Sequence, residues 1–290
     1  VPKGLVSVLP GKGSVVGDAI ARHPLVKRVA FTGGTTTGRH IAHLAADKMM
    51  PVSLELGGKS PTIVLDDADL DHAVAGVLYG IFSSSGESCI AGSRLFVARP
   101  LYADFIERLV AGAKRLRVGD PADERTQMGP LITPEHRAGI EAHVARALAD
   151  GGQLLCGGAR PEGAAYERGN YYLPTIIDGL PNEARLCQDE VFGPVLAALP
   201  FDSEGELLAL ANDSRYALAA GIWSRDFKRA WHLARRLQAG TVWMNRILRA
   251  AVAAPYRPAT ATHSRKNTLT PNPAAPRLSP QNRPAARNPL

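Results

Sequence analysis

Short apolar runs alternate with longer stretches of helical periodicity along most of the chain, and glycines stand where many of the runs end. In residues 1–57 the runs predict short buried strands at 5–9, 29–31 and 52–56. Glycines after two of these runs predict turns into helices that end near residue 23 and span about 36–49. Strand, turn and helix in this order are typical of a parallel sheet that binds a ligand at its carboxyl edge.

The same alternation continues to residue 245 and predicts one large α/β domain. Proline in the first turn and a glycine pair after the last turn delimit a helix at 134–149. Further helices are predicted at 69–79, 102–116, 204–211 and 228–237. Strands are predicted at 62–64, 94–97, 153–156, 175–177, 195–199, 221–224 and 241–244.

The net positive charge of the chain comes from its C-terminal part. The formal net charge is +7, yet residues 247–290 hold seven basic residues and no acidic one, so residues 1–246 are formally neutral. No stripe of Lys and Arg with interleaved aromatics occurs before residue 247, which argues against a basic nucleic-acid-binding protein. The tail is rich in Pro, Ala, Arg, Thr and Asn, and we predict that it is disordered. Its abrupt onset suggests translation out of frame, a hypothesis that resequencing across codon 247 tests.

The cysteine count and the hydropathy pattern restrict the cellular setting. Three cysteines, without CxxC spacing, predict neither a disulfide framework nor a metal site and favour a reducing compartment. The sequence contains no run of about 18 apolar residues, so it predicts no transmembrane helix. The first residues do not form a secretory signal. We therefore expect a cytoplasmic protein without a membrane or nucleic-acid partner.

Cys89 lies in the segment with the clearest chemical character. Its neighbours are small and polar, it follows Gly86, and a predicted strand begins at Arg94. Small neighbours allow a substrate carbon to approach the sulfur, and a turn exposes backbone N–H groups that stabilise an oxyanion. A lone cysteine is more often a buried structural residue, but polar and glycine-rich flanks disfavour that interpretation here. A thiolate is both a good nucleophile and a good leaving group, so Cys89 suits acyl transfer.

Glu55 is the candidate general base. It stands between two leucines and before Gly57 and Gly58, at the end of a predicted strand. An isolated glutamate is usually a surface carboxylate, whereas apolar flanks predict one that is partly buried. Such a carboxylate is suited to taking up a proton and later activating a water molecule.

Five segments, taken together with their order along the chain, resemble the aldehyde dehydrogenase superfamily. GESCIAGSR resembles its cysteine signature and SLELGGKSP its glutamate signature, while FTGGTTTG resembles its cofactor turn. EVFGPV and GTVWMN match further downstream. These segments are residues 86–94, 53–61, 31–38, 190–195 and 240–245. Any one of them alone is a weak signal, but five in the family's order make chance agreement very improbable.

The resemblance implies an NAD- or NADP-dependent enzyme with a Rossmann-type cofactor domain, an aldehyde substrate and a homo-oligomeric state. It implies Cys89 as nucleophile and Glu55 as general base, with Trp243 and Asn245 in the last strand and the substrate-side wall. Glu190 is expected to bind the nicotinamide ribose and Phe192 to pack beside the nicotinamide. The full set of cofactor residues implied is Thr32, Gly33, Gly34, Gly38, Leu56, Glu190 and Phe192. The domains implied are 1–57 for the remainder of the cofactor domain and 58–246 for the catalytic thiol domain.

The chain also departs from the family pattern. No match exists for the segment that normally precedes Val1 or for the one that follows residue 246, so we expect a fragment with little or no dehydrogenase activity. Ser84 stands where the family usually has Asn, and Glu87 where it usually has Gln. A CoA-acylating semialdehyde dehydrogenase is the alternative enzyme, although that class typically lacks the base at Glu55. A non-catalytic remnant also stays open, and neither the aldehyde nor the choice between NAD and NADP follows from the sequence.

Overall fold

The structure is a computed structural model that describes residues 2–245. The predicted disordered tail at 247–290 lies outside the described residues. Within them, no helix is both long enough and apolar enough to cross a membrane.

Two sheets organise the described part of the chain. Strands β1 (Val29–Thr32) and β2 (Val52–Glu55) pair in parallel, and their register sets Thr32 beside Glu55. The larger sheet has seven strands in the order β5–β6–β7–β4–β3–β8–β9, and only the β5–β6 pair is antiparallel. Its strands are β3 (Pro61–Val64), β4 (Arg94–Ala98), β5 (Gln153–Cys156), β6 (Thr175–Asp178), β7 (Val195–Phe201), β8 (Ala219–Trp223) and β9 (Thr241–Met244).

Helices connect the strands, and side-chain caps fix where several of them begin. Asp69, Thr133, Ser203 and Asp226 each accept a hydrogen bond from a backbone N–H in the first turn of the helix that follows. The helices are α1 (Asp18–Arg22), α2 (Thr35–Ala46), α3 (Leu70–Phe82), α4 (Tyr102–Lys114), α5 (Pro134–Ala149), α6 (Arg185–Gln188), α7 (Glu204–Asn212) and α8 (Phe227–Ala234).

The larger sheet is buried on both faces. Along β4, Phe96 points into one apolar cluster while Leu95 and Val97 point into another, as the two-residue period of a strand requires. The first cluster includes residues of α5, α7 and α8, and the second includes residues of α3 and α4. The chain therefore has a mixed α/β fold with helices on both faces of a mostly parallel sheet, as predicted.

One predicted strand is wrong and one helix was missed. Residues 5–9 form no strand, and their apolar side chains lie open to solvent, with Val8 85% exposed. Apolar residues form a strand only where a neighbour satisfies their backbone groups, and no described strand pairs with this segment. The four-residue helix α6 went unpredicted because it is too short for periodicity to reveal. The other predicted elements are present, with ends shifted by a few residues.

Candidate active site

Cys89 lies in a tight loop between α3 and β4. The loop, residues 83–93, begins with Ser84, Ser85 and Gly86 in left-handed backbone conformation, at φ values of 51°, 56° and 70°. Gly86 packs directly on the chain at Gly193, where a Cβ atom would lie 2.3 Å from the Gly193 carbonyl oxygen. We call residues 83–93 the nucleophile loop. It places Cys89 in a half-buried turn, as the small and polar flanks predicted.

Two carboxylates and two backbone N–H groups surround the Cys89 thiol. The backbone N–H groups of Cys89 and Ile90 favour the thiolate and lower the pKa of Cys89. The carboxylates of Glu190 and Glu55 are close enough to act on the charge of the sulfur, and both oppose the thiolate. The structure thus brings the predicted nucleophile, the predicted base and one predicted cofactor residue to one place.

The paired glycines after β2 make this meeting possible. A Cβ atom on Gly58 would lie 2.2 Å from the Cys89 carbonyl oxygen, and one on Gly57 would lie 2.0 Å from Glu190 Oε2. The Gly58 contact is with backbone, so only glycine lets this segment approach Cys89. Gly58 N–H also donates to Glu190 Oε1 at 3.0 Å. Glycine is therefore a requirement of the site at position 58, whereas a side chain at position 57 would push the Glu190 carboxylate aside.

The electrostatics of the site hold the thiol protonated. Burial raises the pKa of Cys89 most, the Glu190 carboxylate raises it further, and Glu55 adds a smaller effect. Burial likewise raises the pKa of Glu190, against the opposing influence of the Gly58 N–H, Lys59 and Arg215. The reactivity of Cys89 therefore depends on whether the neighbouring Glu190 and Glu55 side chains carry a negative charge.

Glu190→Gln should make Cys89 more reactive. Removing the carboxylate with the larger effect lowers the pKa of the thiol, so more thiolate exists at neutral pH. We expect alkylation of Cys89 by iodoacetamide at neutral pH to accelerate by between about two- and tenfold, which corresponds to a pKa decrease of up to one unit. The rate is measured by mass spectrometry of the Cys89 peptide across a pH series.

Two controls sharpen this experiment. Glu55→Gln should give a smaller acceleration because Glu55 has the weaker effect on Cys89. Glu107→Gln, exposed on α4, should leave the rate unchanged. An unaltered pH profile in Glu190→Gln would show that the carboxylate does not act on the thiol.

The predicted phosphate-binding turn lies at the carboxyl edge of the two-stranded sheet. Thr32 ends β1 beside Glu55, and Gly33 N–H donates to the Glu55 carbonyl oxygen at 3.0 Å. Gly34 caps α2, and the space where its side chain would stand is open. A helix N-terminus with open space at its cap residue suits an anion such as a pyrophosphate. The turn therefore fits a dinucleotide beside the predicted base.

Gly38 and Leu56 pack against each other behind that turn. Gly38 is buried inside α2, and a Cβ atom there would lie 2.6 Å from Leu56 Cδ2. This contact gives Gly38 a packing reason that its predicted role in cofactor binding did not include. The role of both residues toward a cofactor stays a prediction.

The other two cysteines have a different setting. Cys156 and Cys187 are buried, and burial raises the pKa of each thiol. All three cysteines are free. Among residues 2–245 no cluster of His, Cys, Asp and Glu could hold a metal ion. Cys89 is thus the most accessible of the three thiols, as the sequence indicated.

Three residues of this region were not identified from the sequence. Lys59, next to Gly58, is buried, and burial lowers the pKa of its ammonium group to about 8. His136 at the start of α5 contacts Phe192, and Glu87 contacts α5 from the nucleophile loop. Only Lys59 and Glu87 had a signal, since both lie inside the two signature segments. Trp243 lies in β9, and Asn245 accepts a hydrogen bond from Ser224 N–H, a contact that ties β9 to the end of β8.

Comparison with known proteins identifies the same family. The aldehyde dehydrogenase family model matches residues 1–257. Betaine aldehyde dehydrogenase from Brucella melitensis is 40% identical over 256 residues, which are 88% of this chain and 52% of that protein. The chain spans about half the length of the curated relatives it matches.

Solved structures agree with this chain in fold. The NAD+ complex of an aldehyde dehydrogenase from Bacillus cereus aligns with a TM-score of 0.82 and 38% identity, over 86% of this chain and 50% of that one. A double mutant of betaine aldehyde dehydrogenase from Staphylococcus aureus, also in complex with NAD+, aligns with a TM-score of 0.85 and 40% identity. That alignment covers 88% of this chain and 51% of the other.

Proposed function

The chain belongs to the aldehyde dehydrogenase family, and we propose that its site serves the oxidation of an aldehyde to a carboxylic acid with NAD or NADP, an activity that we expect to be low or absent in residues 1–290 alone. The observation that carries this proposal is the meeting of a half-buried thiol, two backbone N–H groups and the Glu55 and Glu190 carboxylates. The two solved relatives described above are complexes with NAD+, which favours NAD. A carboxylate beside Cys89 disfavours the CoA-acylating alternative, in which no general base is needed.

The first half of the proposed reaction acylates Cys89. The thiol gives its proton to Glu55, and the sulfur forms a bond to the carbonyl carbon while the carbonyl oxygen becomes an oxyanion. Backbone N–H groups of the turn at Cys89 stabilise the negative charge. The dinucleotide, when bound, accepts the hydride that leaves this carbon, and a thioester remains on Cys89.

The second half hydrolyses the thioester. After Glu55 has released its first proton to solvent, it takes a proton from a water molecule, the water oxygen bonds to the acyl carbon, and the carbon–sulfur bond breaks. The thiolate leaves and recovers the proton from Glu55, and the carboxylic acid is released. Glu55 acts in both halves because it ends β2 next to the glycines that admit Cys89.

We propose that one sheet carries the cofactor-binding part of the chain and the other carries the catalytic part. Residues 1–57 would hold the cofactor, with Thr32, Gly33 and Gly34 at its phosphates and Gly38 and Leu56 supporting the turn. Residues 58–246 would carry the thiol. Glu190 and Phe192 would contact the nicotinamide half of the cofactor, because Glu190 is already beside Cys89. The substrate would be an aldehyde.

Glu55→Gln tests the proposal without a cofactor. An activated ester such as p-nitrophenyl acetate acylates a thiol directly, so release of nitrophenolate reports acylation in a burst and hydrolysis in the steady state. We expect Gln, which keeps the shape but accepts no proton, to slow the steady state by about 10²-fold or more and to change the burst far less. Stopped-flow absorbance separates the two phases.

The control for this experiment is Glu135→Gln, an exposed carboxylate on α5 that should leave both phases unchanged. Equal loss of burst and steady state in Glu55→Gln would contradict the assignment of Glu55 as the base. Absence of any burst in the unaltered chain would contradict Cys89 as an acyl acceptor.

A further inference from the structure

The first turn of α5 touches both halves of the candidate site through one histidine. His136 Nε2 lies 2.7 Å from the carbonyl oxygen of Phe192 and 3.5 Å from Glu87 Oε1. Glu87 precedes Cys89 by two residues in the nucleophile loop. Phe192 lies in residues 189–194, which we call the cofactor loop because it carries Glu190. A single imidazole nitrogen thus faces an acceptor from each loop, so it carries a proton in every protonation state that makes these contacts.

The backbone at Phe192 needs external support. Its φ is 54°, in the left-handed region, and its side chain is 39% exposed. A residue other than glycine in this conformation is strained and persists only where its surroundings hold it. The hydrogen bond from His136 to the Phe192 carbonyl provides this support, and the two rings also meet edge to face at 6.0 Å.

A second contact of α5 lies one helical turn further along. Ile140 packs so closely on the next residue of the loop, Gly193, that a Cβ atom there would lie 2.3 Å from Ile140 Cδ1. His136 and Ile140 are four residues apart and therefore share a helix face. This face of α5 holds the cofactor loop at two successive positions.

The nucleophile loop is held at the same place. Glu87 Oε1 accepts a hydrogen bond from Ile132 N–H at 3.1 Å, just before α5 begins, and the same oxygen faces His136. Gly86 and Gly193 are in direct backbone contact, so the two loops also touch each other. His136 therefore stands where a shift of either loop changes the contacts of the other.

We propose that His136 is a positioning residue that couples the nucleophile loop to the cofactor loop. It fixes the backbone at Phe192. Through its contact with Glu87 it also keeps the position of Cys89 fixed relative to Glu190. The coupling itself stands on the contacts above, while its consequence for a cofactor rests on the proposed function. The His136 side chain is not needed to start the helix, because the cap is made by its backbone N–H to Thr133 Oγ.

The chain contains a matched control for this histidine. His72 is the third residue of α3, as His136 is of α5, and its backbone N–H is likewise capped, by Asp69. Its side chain is 83% exposed and contacts neither loop. His72→Ala therefore removes an imidazole from the same helix position without removing the proposed bridge.

Hydrogen exchange of the full chain, followed by mass spectrometry, tests the coupling. In His136→Ala we expect peptides covering residues 84–92 and 189–195 to exchange about fivefold faster, the effect of one lost hydrogen bond. His136→Gln, which places an amide donor near the position of Nε2, should restore most of the protection. His72→Ala should leave both peptides unchanged.

Glu87→Ala gives an independent route to the same result. It removes the nucleophile-loop side of the bridge without altering α5, and it should accelerate exchange in both peptides. This variant decides the question if His136→Ala fails to fold, which circular dichroism reveals. Unchanged exchange, an increase in only one of the two loops, or an equal increase in His72→Ala would overturn the proposal.

A cofactor arm keeps this proposal separate from the proposed function. If the unaltered chain binds NAD in calorimetry, His136→Ala should weaken that binding about fivefold and His72→Ala should not. If the unaltered chain binds no NAD, the proposed function is at fault. The exchange measurements then still decide the coupling, because they need neither cofactor nor turnover.

Discussion

Replacing Cys89 by alanine in a full-length version of this enzyme should reduce aldehyde oxidation by about 10⁴-fold or more, the scale seen when a covalent nucleophile is lost. Without the sulfur there is no atom at the site that can bond to the carbonyl carbon and later leave. The neighbouring Glu55 and Glu190 carboxylates cannot replace it, since Glu55 is the proposed base and Glu190 is tied to Gly58 N–H. The measurement is NADH formation with several aldehydes.

The other two cysteines serve as controls for this result. Cys156→Ala and Cys187→Ala remove thiols that are buried in the apolar core, so both variants should keep whatever activity the unaltered chain has. The burst with an activated ester should also disappear in Cys89→Ala alone, which makes the test independent of the hydride step. Turnover or a burst retained by Cys89→Ala would mean that another group is the nucleophile.

The sequence predicted Cys89 and Glu55, the two central residues of the site, because the residues that flank each of them carry the signal. Small and polar flanks mark Cys89 as a turn cysteine, and apolar flanks mark Glu55 as a strand end. The fold was predictable for the same reason, since β4 is a short run of mostly apolar, buried residues and α5 is delimited by Pro134 in its first turn and by a glycine pair after its last turn. Both kinds of signal lie within about ten neighbouring positions of the chain.

The parts that could not be predicted depend on contacts between distant segments. Glu190 was expected at the cofactor by resemblance alone; its place beside the Cys89 thiol depends on a hydrogen bond with Gly58, 132 residues away in sequence. His136 has the same character, because its partners Phe192 and Glu87 lie 56 and 49 positions away along the chain. Only the fold decides which of many polar side chains meet.

The predicted strand at 5–9 shows the opposite limit. An apolar run specifies that a strand would be buried if neighbours covered it, but it does not supply the neighbours. In the described residues Val8 and the rest of that run are exposed, with no strand beside them. Gly38 gives a milder case, since its sequence position fits a phosphate-binding turn while its missing side chain makes room for Leu56.

Arg94, the last residue of the cysteine signature, has a structural role that the motif does not reveal. It begins β4, its side chain is 1% exposed, and its guanidinium spans three segments of the catalytic part. Nε donates to the Lys59 carbonyl oxygen at 3.1 Å, and Nη1 donates to Asn182 Oδ1 at 3.2 Å. The remaining donors reach the last turn of α7, at the carbonyl oxygens of Leu210 and Ala211.

These contacts satisfy buried acceptors at Lys59, Asn182 and Ala211, and they reinforce the Leu210 carbonyl oxygen, which also accepts from Asn182 Nδ2 at 3.3 Å. The carbonyl oxygens of a last helical turn have no N–H partner within the helix, and a positive charge there also interacts favourably with the helix dipole. Burial lowers the pKa of Arg94 to about 10, so the guanidinium stays charged at neutral pH. Through Lys59 the same side chain holds the segment that follows Gly57 and Gly58, the glycines that admit Cys89 and Glu190.

Arg94→Leu should therefore lower the free energy of unfolding by about 3–5 kcal/mol, because it leaves several buried acceptors unsatisfied at once. Arg99, just beyond the other end of β4, is the matched control: it forms an ion pair with Asp202 in which both side chains are 56% exposed. Arg99→Leu should change stability far less, because an ion pair exposed to solvent contributes little. Urea unfolding followed by circular dichroism compares the two variants. Equal effects of the two substitutions would mean that Arg94 does not hold α7 and the Lys59 segment to β4. The position of Cys89 relative to Glu190 would then depend on the loop contacts alone.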